Sequence, residues 1–170
     1  MDDREVAEVS VSIDVAADPD TVWALVADPE NYVRWSPQVT GVRRLRGSGE
    51  WQIGDSWIGS NRLRLPWATL CVVDACEPRR TFAFTVDFGP LSVSRWTFDL
   101  EPDGTGTRVT ETWQDRRHGL SRVVRLAGPA VGRGWDAAQH NLDSMRQTLT
   151  ALKEEAESAA RGASGSSATC

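Results

Sequence analysis

The stretch SRWTFDLEPDGTGTRVTETWQ, residues 94–114, decides how the rest of the chain is read. Trp96, Phe98 and Leu100 alternate with Arg95, Thr97 and Asp99, the period-two pattern of a half-buried strand. Pro102, Asp103 and Gly104 then supply turn chemistry, and a second alternating run follows. In that run Val109 and Trp113 share a face with Glu111, while Arg108, Thr110 and Thr112 take the other. An antiparallel hairpin results, with a carboxylate on its apolar face. In a packed core an unpaired charge is very costly. Beside a cavity it is free to meet a ligand, and a bulge would turn it out to solvent.

The same period extends upstream. TFAFTVDF (residues 81–88) puts Phe82, Phe84, Val86 and Phe88 on one face. SWIGSNRLRL (56–65) sets Trp57, Gly59, Asn61, Leu63 and Leu65 against Ile58, Ser60, Arg62 and Arg64. Prolines at 66, 78, 90 and 102 punctuate this region every twelve residues, which predicts a meander of antiparallel strands with one wet face. EVSVSIDV (8–15) is one more half-buried strand. Between it and the meander, DPDTVWALVA and DPENYVRW each begin with an Asp N-cap, Asp18 or Asp28, and a proline at the first helical position. Two short helices are predicted there, the second stopped by Pro37.

Downstream, residues 115–134 form a basic connection punctuated by glycines. The strongest helix signal in the chain then begins. Trp135, Ala138, Leu142, Met145, Leu149 and Leu152 make one stripe at three- and four-residue spacing. Asp136, His140, Asp143, Gln147 and Glu154 take the polar side. Residues 158–170, rich in Ser, Ala and Gly, read as a disordered tail after a single domain spanning 1–157. A long amphipathic helix and a sheet with one apolar face bury each other, so an α+β fold of about seven strands curled around the helix is expected.

The bulk numbers narrow the function classes. With 19 Lys and Arg against 24 Asp and Glu the net charge is -5, which disfavours nucleic acid and anionic membrane surfaces as main partners. The longest apolar run, WATLCVV (67–73), is too short to cross a bilayer, and the acidic start lacks a secretory h-region. Cys71 and Cys76, an odd number of residues apart on one strand, are expected on opposite faces, and with Cys170 at the end they do not make a disulfide framework. A reducing cytoplasm is the expected location. Neither His118 nor His140 has metal-ligand spacing, and no nucleophile elbow or P-loop is present, so neither metal nor cofactor is expected. The oligomeric state is not legible in the sequence.

Five pieces, AADPDTVWALVADPENYVRWSP, GDSWIGSN, EPRRTFAF, RWTFDLEPDGTGTRVTET and NLDSMRQTLTALKEEAE, stand in an order and spacing that resembles the START-like, helix-grip superfamily. The resemblance is to its polyketide cyclase/dehydrase-type branch of SRPBCC proteins, and it spans roughly residues 6–157. It implies a curved sheet gripping the last helix, with an elongated cavity between them for a hydrophobic molecule such as a lipid, sterol, polyketide or quinone. Some members are cyclases or aromatases. No catalytic motif is common to the family, so no catalytic residue carries over.

On that reading Trp57, Trp67, Phe84, Trp96, Phe98 and Trp113 line or fill the space facing Leu142 and Met145. Asn61 and Glu111 are the polar groups phased with them. A bulky Trp135 narrows or caps one end, and Gln139 and Asn141 flank the helix stripe at a pocket rim. Three functions stand open: a binder of a ring-bearing hydrophobic molecule, a cyclase or aromatase anchored on Asn61 and Glu111, and a co-chaperone- or toxin-like partner protein working through RRHGLSRVVR (116–125).

Overall fold

The computed structural model describes residues 8–62, 65–117 and 137–166. Strand β1 (Glu8–Val15) leads into helix α1 (Pro19–Val26), a 3-10 turn (Pro29–Asn31) and the single-turn helix α2 (Tyr32–Trp35). Six strands follow: β2 (Val39–Arg46), β3 (Ser56–Arg62), β4 (Pro66–Glu77), β5 (Thr81–Phe88), β6 (Leu91–Asp103) and β7 (Gly106–Asp115). Helix α3 (Ala137–Ser166) closes the described chain. All seven strands form one antiparallel sheet in the order β1-β7-β6-β5-β4-β3-β2.

The predicted caps form as expected. Asp18 accepts from the backbone N–H of Thr21 at 2.9 Å and from its hydroxyl at 2.8 Å, starting α1. Asp28 accepts from the N–H of Glu30, but the second predicted helix resolves into the 3-10 turn and one α-helical turn. Val22 and Val26 of α1 and Tyr32 and Trp35 of α2 are buried. Gly104 (φ 61) turns the β6–β7 hairpin in the left-handed region its lack of a Cβ permits.

Helix α3 packs on β1, β7, α1 and α2 through Met145, Leu149, Leu152 and Ala156, all essentially inaccessible. Its second half is also tied down by polar contacts. Lys153 donates to the carbonyl of Asp14 at 2.6 Å, and Glu157 accepts from the N–H of Ala16 at 2.9 Å. Glu155 takes one hydrogen bond from Arg34 and another from the Trp35 indole, at 2.6 and 2.7 Å. Helix α3 continues through residues 158–166, where a disordered tail was expected, and Ala160 still packs against the core; residues 167–170 lie outside the described residues.

Three alternation readings need correction. Between Val73 and Ala75 the β4–β5 register slips by one, so Asp74 bulges and the phase of β4 inverts beyond it. Cys76 therefore pairs with Phe82 and joins Cys71 on the apolar face instead of opposing it. Phe88 ends β5 nearly half exposed, and Leu65, past the end of β3, is 77% exposed. Neither belongs to the core that Phe82 and Trp57 enter.

Candidate functional site

Strand register arranges the apolar face of the sheet in cross-strand rows. One row runs Val11, Glu111, Phe98, Phe82 and Cys76 across β1, β7, β6, β5 and β4. The next runs Val9, Trp113, Trp96, Phe84 and Val73. A third carries Ser94, Val86, Cys71, Trp57 and Arg44 from β6 to β2. Of the predicted lining, Trp57, Phe84, Phe98 and Trp113 are buried and Trp96 is half-buried. Aromatic rings interlock along these rows. Trp57 meets Phe84 edge-on at 5.0 Å, and Trp51 meets Trp57 the same way at 5.2 Å.

Glu111 holds the middle of this face at 3% exposure. Its strand neighbours Val109 and Trp113 and its cross-strand partners Val11 and Phe98 are all apolar. Its Oε2 is buried with no hydrogen-bond partner among the described residues. Burial pushes its carboxyl well above the usual range, and no cation among the described residues stabilises the charged form.

A titratable companion that feels this carboxyl is Tyr32, buried on α2, whose ring lies 5.7 Å from Phe98 and 5.9 Å from Phe84. Burial first, and the Glu111 carboxyl second, raise the Tyr32 phenol well above its ordinary value. Its hydroxyl donates to the Val26 carbonyl at 2.7 Å, so its only proton is already engaged.

Asn61 is on the predicted face but half-buried and locally occupied. Its amide donates to the Gly59 carbonyl at 3.1 Å and the Thr69 hydroxyl at 3.3 Å. Trp67, its cross-strand partner on β4, is half-buried, with the ring 6.5 Å from Phe88. These two sit two rows beyond Trp57, away from Glu111, so the structure does not bring the two predicted polar anchors together.

On α3, Met145 is fully buried and Leu142 half-buried, as the stripe requires. Gln139 is exposed and donates to Asp143 one turn on at 3.2 Å, and Asn141 is half-buried. His140, expected on the polar side, is half-buried instead, and burial lowers its imidazole pKa. Trp135, His118, Leu63 and most of the basic segment lie outside the described residues.

Five residues of this interior were not anticipated. Tyr32 and Trp35 follow the Asp28 cap at i, i+3 spacing, the signal that both enter the core from α2. Ser144 and Thr148 are buried on α3, one residue before Met145 and Leu149 respectively; their i, i+4 spacing ran parallel to the stripe. Trp51 is also buried, held by an indole hydrogen bond to Asp28 and by the Arg44 guanidinium 3.9 Å above its ring. Gly47 lies under this loop because a Cβ there would fall 2.1 Å from the Asp55 carboxylate that holds Arg44.

Among the described residues no group of three or more His, Cys, Asp or Glu side chains is placed to hold a metal ion. Among the described residues no helix is long and apolar enough to cross a membrane.

Residues 6–157 match the protein family described as polyketide cyclase / dehydrase and lipid transport. No curated protein matches the chain. Among solved structures, Ara h 8.0201 superposes with a TM-score of 0.64 at 14% identity, covering 91% of this chain and 99% of that one. The Polyketide_cyc-like protein Cgl2372 from Corynebacterium glutamicum gives 0.58 at 23% identity, covering 88% and 91%. Protein NE0264 from Nitrosomonas europaea gives 0.61 at 16%, covering 89% and 94%. Likeness at these identities establishes the fold alone.

Proposed function

Because the chain belongs to the polyketide cyclase/dehydrase and lipid transport family, we propose that it binds a hydrophobic, ring-bearing small molecule between the inner face of the sheet and α3. The observation that carries this reading is the aromatic-rich inner face of the sheet, which holds one buried, unpartnered carboxyl at Glu111. Ligand pockets are mostly apolar with a few placed polar groups, and this face has that composition. Lipids, polyketides and quinones all fit it.

The interior is also uneven along the helix axis. Beyond residue 143, α3 presents Ser144, Met145, Thr148, Leu149, Leu152 and Ala156 fully buried, whereas Ala137, Ala138 and Leu142 are only half-buried. We place the ligand toward that first part of α3, against Trp113, Trp96 and Phe84, with Glu111 at its inner end.

Native mass spectrometry of the gently purified protein tests this. A discrete added mass that disappears on denaturation identifies the ligand. A bare chain mass, together with failure to bind a neutral apolar fluorophore, refutes the reading. A second reading, an enzyme of the cyclase or aromatase kind, draws on the same carboxyl, which in its protonated form is equipped to deliver a proton. Turnover of a polyketide substrate that disappears in Glu111→Gln distinguishes it from pure binding.

A further inference from the structure

We propose that Glu111 is the ligand's polar anchor, its carboxyl donating one hydrogen bond to a neutral carbonyl oxygen on an otherwise apolar molecule. This deepens the binding reading and rests on it.

Buried polar groups in folded proteins nearly always have a partner, and an orphan calls for a specific explanation. The described surroundings offer Glu111 none. Val11, Phe98 and Val109 carry no polar side-chain atom, the Trp113 indole makes no hydrogen bond to the buried Oε2, and the Tyr32 proton is committed to the Val26 carbonyl. Several cations of the described residues are paired with other carboxylates. Arg34 lies on Glu155, Lys153 on Glu157, Arg44 on Asp55 and Arg117 on Asp115. A carboxyl enclosed by apolar groups, with no cation beside it among the described residues, rests in its neutral form, which burial favours. The neutral form has one O–H to give, and it lacks a taker.

Those facts select among ligands. An anionic ligand, such as a fatty acid carboxylate, brings a charge into apolar surroundings where no cation among the described residues meets it. A cationic amine requires Glu111 to ionise, which removes both charges from water at high cost. A bare hydrocarbon leaves the O–H unsatisfied. A ketone, quinone or ester oxygen accepts the hydrogen bond and adds no charge. The discrimination is worth roughly tenfold in affinity, the size of one net hydrogen bond.

The experiment displaces the neutral fluorophore N-phenylnaphthylamine from the full-length protein with three matched compounds: fluorenone, fluorene and fluorene carboxylate. Fluorenone is expected to compete roughly tenfold better than fluorene, with the carboxylate weakest. The preference should survive in Glu111→Gln, whose amide still donates, and vanish in Glu111→Leu. Difference infrared spectra should show a protonated carboxyl band that is missing from both variants and shifts when fluorenone binds. If the fluorophore binds but fluorenone and fluorene compete equally, the carbonyl anchor is overturned while the binding reading stands. Loss of the preference in Glu111→Gln as well overturns the donor role. If the fluorophore does not bind at all, both fall.

Discussion

Glu111 works against the stability of the domain that contains it. Its pKa in the folded chain lies well above the ordinary 4.5, so above that pH the unfolded chain gives up the proton while the folded chain retains it. Stability is therefore full below about pH 4.5 and falls as pH rises toward the folded value. Glu111→Leu should be more stable than the wild type by about 1–3 kcal/mol at pH 8, with a smaller gain at pH 4. Urea unfolding at the two pH values measures this, and an equal gain at both would mean that Glu111 does not titrate as described. Cys71 gives a second test. Its buried thiol is pushed up to about 12, so iodoacetamide at pH 8 should leave Cys71 unmodified in the folded protein and alkylate it in urea. The orientation of Glu111 was legible because β6 and β7 pair without a slip from Ser94 to Asp103, so plain alternation holds. That of Cys76 was not. The bulge at Asp74 leaves no mark in VVDAC, and one unpaired residue is enough to invert a strand.

At the scale of elements, the helices are held by caps and clamps that can be removed singly. Asp18→Ala should cost about 1 kcal/mol, the usual value of an N-cap. The Thr21 hydrogen bonds lower the Asp18 pKa below 3.8, so its contribution is present above that value and disappears as acid protonates the carboxylate. The penalty of the variant, measured by thermal unfolding, should accordingly shrink below about pH 3.8. Glu155→Ala removes both ties between α3 and α2, the Arg34 and Trp35 hydrogen bonds. With the carboxylate about one-third exposed, the loss should be nearer 1 than 3 kcal/mol by urea titration. Glu155→Gln should recover part of it. The Asp-Pro signals located both helical starts, yet the second helix shrank to one turn after a 3-10 segment. Asn31 and Tyr32 turn inward there, to the carbonyls of Leu25 and Val26, and these tertiary bonds are absent from local propensity. In the same way, SAARGASGS reads as a tail by composition, although its alanines carry α3 onward once the helix is under way.

At the scale of the molecule, the sequence disclosed the architecture more fully than the site. Strand count, the meander and the final helix follow from periodicity, because each residue reports its own burial preference. Which of the buried groups meet each other depends on register and on helices crossing from elsewhere, as Tyr32 does beside Glu111. The whole sheet depends on one long-range junction. Among the described strands β1 pairs only with β7, and α3 lies on β1. Removing residues 1–15 should therefore abolish cooperative unfolding, with near-ultraviolet circular dichroism losing its fine structure; a sharp transition in the truncated chain would show that β2–β7 and α3 suffice.

That junction also sets a timetable. Glu8 bonds Gln114, 106 residues further along, and at a synthesis rate of about 5–20 residues per second the first strand waits on the order of 5–20 s for its partner. It spends that interval as a bare ribbon of valine and isoleucine at the mouth of the ribosome. Ser10, Ser12 and Asp14, which look outward in the finished sheet, break that apolar ribbon at every second position and so should lower its tendency to associate with its neighbours on the polysome.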